Sequence, residues 1–228
     1  MSAGIALFHG SNIVLEHPTP DGGHIHNDYG QGLYCTESLE LAREWACSEL
    51  PSAFVNHYSL NPDIPLKECN LLSDEYHVLN WLAILLKNRR FDISYDMPAA
   101  IREYILQEFL PDLKDFDIIR GYRADDSYFG IAKAFLMGSL PLEELGNALR
   151  LGKLGVQVFI KSEKAFDSLC YLTAEAVDRD IYLARRAQRD QAARQAFRQI
   201  SSQNPALTGT FAIDIVRNKW RNNDARLF

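Results

Sequence analysis

The chain has 228 residues, 47% of them hydrophobic, and carries a formal net charge of −6. That supplies one sizeable core, or one domain with a helical appendage, and leaves two equal domains short of apolar material. The acidic balance excludes a global positive field that would draw in nucleic acid, so only a local basic patch could do so.

The first predicted element is a short buried strand, Ile5-Ala-Leu-Phe-His9, ended by the turn signal Gly10-Ser11-Asn12. Residues 16 to 32 are polar and rich in Pro, Gly, His, Asn and Asp. A stretch that long without hydrophobic period reads as a functional loop. Leu33 to Thr36 is strand-like, and Glu37 to Cys47 has helical spacing with Leu39, Ala42 and Ala46 on one face and Thr36 or Ser38 as its cap. Ala53 to Leu60 alternates as a strand, with Phe54, Asn56 and Tyr58 on one face.

Amphipathic helices are predicted over 74–90 and 98–110, a strand over 117–121, and helices over 127–137 and 142–149. Val156 to Ile160 is a further strand, followed by a helix over 163–169. From 175 to 199 the composition turns charged and Ala-rich, a solvent-facing helix packed through Ile181, Leu183 and Phe197 or a partner-binding one. Residues 200 to 228 hold one apolar island, Leu207 to Val216, and a basic end.

The N-terminus has no basic region and too short an apolar run for a signal peptide. The longest apolar stretch, Val78 to Leu86, is broken by Asn80 and falls well short of the ~20 residues of a membrane span. Cys35, Cys47, Cys69 and Cys170 stand far apart with no CxxC pair, which reads as free thiols in a reducing compartment. A soluble cytoplasmic protein is expected, with no membrane partner.

The chemistry-bearing residues gather early in the chain. Phe8-His9-Gly10-Ser11 puts an imidazole and a hydroxyl at a strand end, where Gly10 lets a ligand approach the backbone. Tyr29-Gly30-Gln31-Gly32-Leu33-Tyr34 adds two glycines and an aromatic on the emerging strand, yet completes neither a GxGxxG fingerprint nor a phosphate-binding P-loop. A Cys35–His9 dyad lacks a third orienting group. A zinc site from His24, His26 and Asp28 lacks a fourth ligand, so no metal is expected.

Together these segments resemble the ADP-ribosyltransferase superfamily of the His-Tyr type, the poly(ADP-ribose) polymerase and diphtheria-toxin-like enzymes. In that superfamily a His-Gly-Ser or His-Gly-Thr strand end precedes a segment like Phe-Gly-Lys-Gly-Ile-Tyr. Through about residue 172 the chain looks closer still to an uncharacterised bacterial family of toxin-like ADP-ribosyltransferases, sharing Leu7 to Ser11, Asp28 to Tyr34 and Ala124-Asp125-Asp126.

The resemblance implies an α+β fold with a split β-sheet core, flanking helices and a C-terminal helical extension. It implies an NAD-binding domain over 1–172 and the extension over 173–228. NAD is the implied substrate, held by His9, Gly10, Ser11, Tyr34, Thr36, Trp45 and Gln157. His9 would bind ribose hydroxyls, the Gly10 backbone the carboxamide, and Tyr34 and Trp45 would sandwich nicotinamide.

The superfamily's later Glu is replaced by Gln157, which can orient a ribose hydroxyl but brings no negative charge to the developing cation. Asp125 is then the candidate to supply that charge or activate the acceptor, with Asp126 capping the next helix. His9, Tyr34, Gln157 and Asp125 are therefore the catalytic candidates. The implied activity is transfer of a single ADP-ribose to an unidentified acceptor, nucleic acid not being excluded. NAD hydrolysis or a non-catalytic NAD-binding module are the alternatives, and a small antitoxin is the implied partner.

Overall fold

The computed structural model describes residues 4–90, 96–124, 126–148, 155–203 and 208–227. The chain runs β1 (Ile5–Ser11), β2 (Leu33–Cys35), α1 (Leu39–Ala46), β3 (Phe54–Leu60), β4 (Glu68–Asn70), α2 (Val78–Asn88) and α3 (Asp96–Phe109). It continues with β5 (Ile118–Tyr122), α4 (Asp126–Leu136), α5 (Leu142–Ala148), β6 (Val156–Ile160), α6 (Glu163–Asp167), β7 (Leu169–Ala176), α7 (Arg179–Gln203) and α8 (Ala212–Arg217). The fold is mixed α+β.

Contacts divide the chain into two compact units, the first formed by Met1–Asn70, Leu113–Arg123 and Leu154–Gln188 and the second by Leu71–Asp112, Ala124–Lys153 and Arg189–Phe228. β7 runs through residue 172 to Ala176 and pairs with β3 on both sides of a register shift at Leu172.

The first unit holds every described strand, in two sheets ordered β1-β3-β7 and β2-β6-β5-β4. All pairings are antiparallel except β4 with β5. The sheets meet at one bridge, where the Phe8 amide donates to the Thr36 carbonyl at 2.8 Å and the Thr36 amide returns to Phe8 at 2.9 Å. Period-two alternation assigns the faces. Leu7, Tyr58 and Leu60 from one sheet bury with Leu33, Cys35, Ile118, Val158 and Ile160 from the other. Each such aliphatic side chain contributes roughly 1.5–3 kcal/mol of burial.

On the opposite face of β1 and β3, α1 presents Ala42 and Ala46 to Val55, with Phe8 and Tyr182 packed alongside. Ser38 caps α1, its side chain accepting from the Leu41 amide. Small residues on this helix bring its backbone so near β1 that a Cβ at Gly10 would stand 2.2 Å from the Ala42 carbonyl oxygen and 2.5 Å from the Ala46 nitrogen.

The second unit is helical. α2 is buried from Leu79 through Leu86 rather than amphipathic. Asn80, the polar break in that run, ties the helix start to its surroundings. Its Oδ1 accepts from the His77 amide at 2.9 Å and its Nδ2 donates to the Phe109 carbonyl at 2.8 Å. The charged stretch forms α7, in which Ile181 and Leu183 are exposed, Phe197 and Tyr182 are half-buried and Ala193 is buried, with Tyr182 packed on the α1 cluster. The apolar island after residue 207 becomes α8, burying Ala212 and Ile215.

Candidate active site

The strand pairing itself assembles the candidate site. β2 lies antiparallel to β6 with Tyr34 opposite Phe159, and β6 lies antiparallel to β5 with Gln157 opposite Gly121. Residues opposite one another, and residues two apart on a strand, share a face, so Tyr34, Phe159 and Gln157 line the side of this sheet turned away from its packed core. The Tyr34 and Phe159 rings stand 4.8 Å apart, and Tyr29 stacks on Phe159 at 5.9 Å. Gly32 makes this close approach possible, since a Cβ there would lie 2.6 Å from the Phe159 ring.

His9 is tied to the backbone of β2 across the seam between the sheets. Its Nδ1 is 2.7 Å from the Tyr34 carbonyl oxygen, an acceptor, which fixes the proton on Nδ1 and leaves Nε2 as an acceptor in the neutral ring. Burial holds the imidazole below the ordinary histidine value, against the opposing pull of that carbonyl, so the neutral form is the resting one.

Gln157 is 4% exposed. Its Nε2 donates to Asp28 Oδ2 at 2.9 Å and to the Tyr122 carbonyl at 3.2 Å. The same carbonyl accepts from the Tyr29 hydroxyl at 2.6 Å. The Tyr34 hydroxyl donates to the Gly30 carbonyl at 2.6 Å and accepts from the Tyr29 amide at 3.0 Å. Asp28, Tyr29 and Gly30 are thus each sewn to the sheet by a side-chain hydrogen bond.

The remaining candidates fall into other surroundings. Ser11 Oγ donates to the Ile13 carbonyl at 2.5 Å and accepts from Asn56 Nδ2 at 3.2 Å, so it is engaged in the turn after β1. Buried Asn56 organises that turn further, accepting from the Leu15 amide at 2.7 Å. Thr36 is buried at the bridge between the sheets, its Oγ1 accepting from the Ser38 amide at 3.2 Å. Gly10 is spent on the close approach of α1.

Trp45, on α1, carries the Arg123 guanidinium over its ring at 4.0 Å. A cation already holds the kind of place that the resemblance gives to nicotinamide. Asp125 lies outside the described residues, as does the side chain of Asp126.

Other chemistries find little footing. Cys35 is fully buried, and desolvation pushes its thiol far up, which keeps it protonated beside His9. His24 and His26 are exposed while Asp28 is buried, and among the described residues no group of three or more His, Cys, Asp or Glu could hold a metal ion. Among those residues, too, no helix is long and apolar enough to cross a membrane. All four cysteines are free.

Asp28 and the Tyr122 carbonyl are the polar groups on Gln157 that the sequence does not pair with it. A family model with the description "Protein of unknown function (DUF3990)" matches residues 5–171. No curated protein matches the chain, and no solved structure does.

Proposed function

The chain belongs to the DUF3990 family, and we propose that it is an NAD-dependent mono-ADP-ribosyltransferase, the cytoplasmic toxin of a bacterial toxin–antitoxin pair. The observation that carries the reading is the joining of His9 to Tyr34 across the seam of the two sheets, with Gln157 on the strand paired to that of Tyr34. That arrangement supports the order of parts which the resemblance requires.

His9 Nε2 accepts from a ribose hydroxyl, and the half-buried Tyr34 ring, already packed by Phe159 and Tyr29, is the aromatic that would meet nicotinamide. Gln157 orients a hydroxyl of the nicotinamide ribose. The bond between the ribose anomeric carbon and the nicotinamide nitrogen breaks, the electron pair leaving with nicotinamide. An acceptor nucleophile then attacks that carbon and gives up its proton. The protein supplies positioning and electrostatics.

Purified protein incubated with labelled NAD and a cell lysate is expected to release nicotinamide and to label an acceptor. Absence of both products would sink the proposal, whereas nicotinamide without a labelled acceptor would make the chain an NAD glycohydrolase. Expression should arrest growth, with relief by His9→Ala or Tyr34→Ala, and a small neutralising protein is the partner that a toxin role entails.

A second reading, a non-catalytic NAD-binding module, is favoured by one observation: the amide of Gln157 replaces a carboxylate and is itself buried. Binding of NAD without turnover would select it.

A further inference from the structure

The polar group nearest the Gln157 amide is a buried carboxylate from the loop before β2. Asp28 is 3% exposed, and its Oδ2 accepts from Gln157 Nε2 at 2.9 Å. An amide nitrogen has two protons, and here both have acceptors, Asp28 Oδ2 and the Tyr122 carbonyl. Reversing the amide would set its oxygen against a carboxylate and a carbonyl, two acceptors with no proton between them. The end of Gln157 left to meet a ligand is therefore the acceptor Oε1.

We infer that Asp28 is a positioning residue of this site, holding Gln157 turned so that Oε1 is presented to a ribose hydroxyl of NAD as a carboxylate oxygen would be. This rests on the NAD-cleaving reading above. It also places the charge lacking at position 157 one hydrogen bond away: the carboxylate polarises the amide from behind in a site with little water to screen it.

Kinetics on the full chain test the inference. Asp28→Ala is expected to lower kcat by roughly a hundredfold, as a misoriented catalytic group does, with KM little changed. Gln157→Glu alone is expected to be inactive, because its carboxylate would face that of Asp28 at the present 2.9 Å separation. Asp28→Asn combined with Gln157→Glu restores one carboxylate and one amide to the pair, and should recover at least part of the turnover lost in Gln157→Glu.

Residues in contact couple whatever their role, so the distinguishing readout is a fall in kcat at unchanged KM and unchanged melting temperature in Asp28→Ala, which a purely structural Asp28 would not give. Wild-type kcat in Asp28→Asn and Asp28→Ala, or a double variant no better than Gln157→Glu, overturns the inference. The side-chain amide protons of Gln157, followed by NMR, give a readout that needs no turnover. They should exchange slowly in the wild type and fast in Asp28→Ala, with the folded state confirmed by retained β-sheet circular dichroism. If the wild type releases no nicotinamide, the activity reading fails on its own, while equal exchange in wild type and Asp28→Ala removes the positioning role.

Discussion

His9 combines two constraints that bear on acid stability. Its folded-state pKa is depressed, mainly by burial, so the unfolded chain takes up the proton more readily than the folded one. Stability is therefore fully present above the ordinary histidine value of about 6.5 and drains away as pH falls through and below it. His77, in the helical unit, is depressed by burial as well and adds to the same window. Thermal unfolding followed from pH 7.5 to 5 should show a steeper fall for the wild type than for His9→Gln, and the flattest profile for His9→Gln with His77→Gln. An NMR titration returning a His9 midpoint at or above the ordinary value would contradict this.

Gly10 is a second residue where structure competes with ligand binding as the explanation. The atoms that an added methyl would meet are backbone atoms of α1, which cannot swing aside as a side chain does. Gly10→Ala should cost about 1–3 kcal/mol, the range of overpacked cores. Trimming Ala42 to Gly should not restore the loss, since the clash is with the Ala42 carbonyl. Denaturant melts of the wild type, Gly10→Ala and the double variant check both statements.

At the scale of elements, β7 decides how the first sheet is completed. Thr173, Ala174, Glu175 and Ala176 pair with His57, Asn56, Val55 and Phe54. A fragment ending at Leu172 strips those partners from β3 and leaves an open edge, the template for aggregation. Compared with a fragment ending at Gln188, which retains all of β7, it should melt lower and sediment as larger species. Equal behaviour of the two would mean that these pairs contribute nothing.

The same strand explains what the sequence could and could not reveal. β1, β2, β3, β5 and β6 announce themselves because each buries at least one apolar residue, only Leu7 in β1, where Ile5 is exposed, and because turn residues mark several of their ends. β7 does not: it is half exposed on both faces, with Leu172 58% accessible, so no alternation survives in Cys170-Tyr-Leu-Thr-Ala-Glu-Ala176. Three-residue β4 is too short for any period. The charged helix misled through two of its large apolar residues, since a helix meeting its surroundings by Tyr182 and Ala193 leaves Ile181 and Leu183 in water.

For the molecule as a whole, the candidate site is legible in outline and opaque in its wiring. Phe8-His9-Gly10-Ser11, Tyr34 and Gln157 could be picked out because each sits at a strand or strand end with a recognisable neighbour. Asp28 stands out only as the first residue of the Asp28–Tyr34 motif and as a poor metal ligand, with nothing to tie it to Gln157. Its burial arises only when β6 pairs with β5 and brings Gln157 and the Tyr122 carbonyl under that loop. No local pattern encodes a meeting of residues so far apart in the chain.

The bridge at Phe8 and Thr36 has one more consequence. The imidazole one residue after Phe8 takes its bearing from a main-chain oxygen two residues before Thr36, so both ends of that contact are set by how the strands are threaded rather than by neighbouring side chains. A slip of one residue would turn every side chain of β1 to the opposite face and carry the imidazole off with it. An insertion or deletion between positions 7 and 9, or between 34 and 36, should therefore disturb the place of the imidazole more than a change of residue type at the same positions.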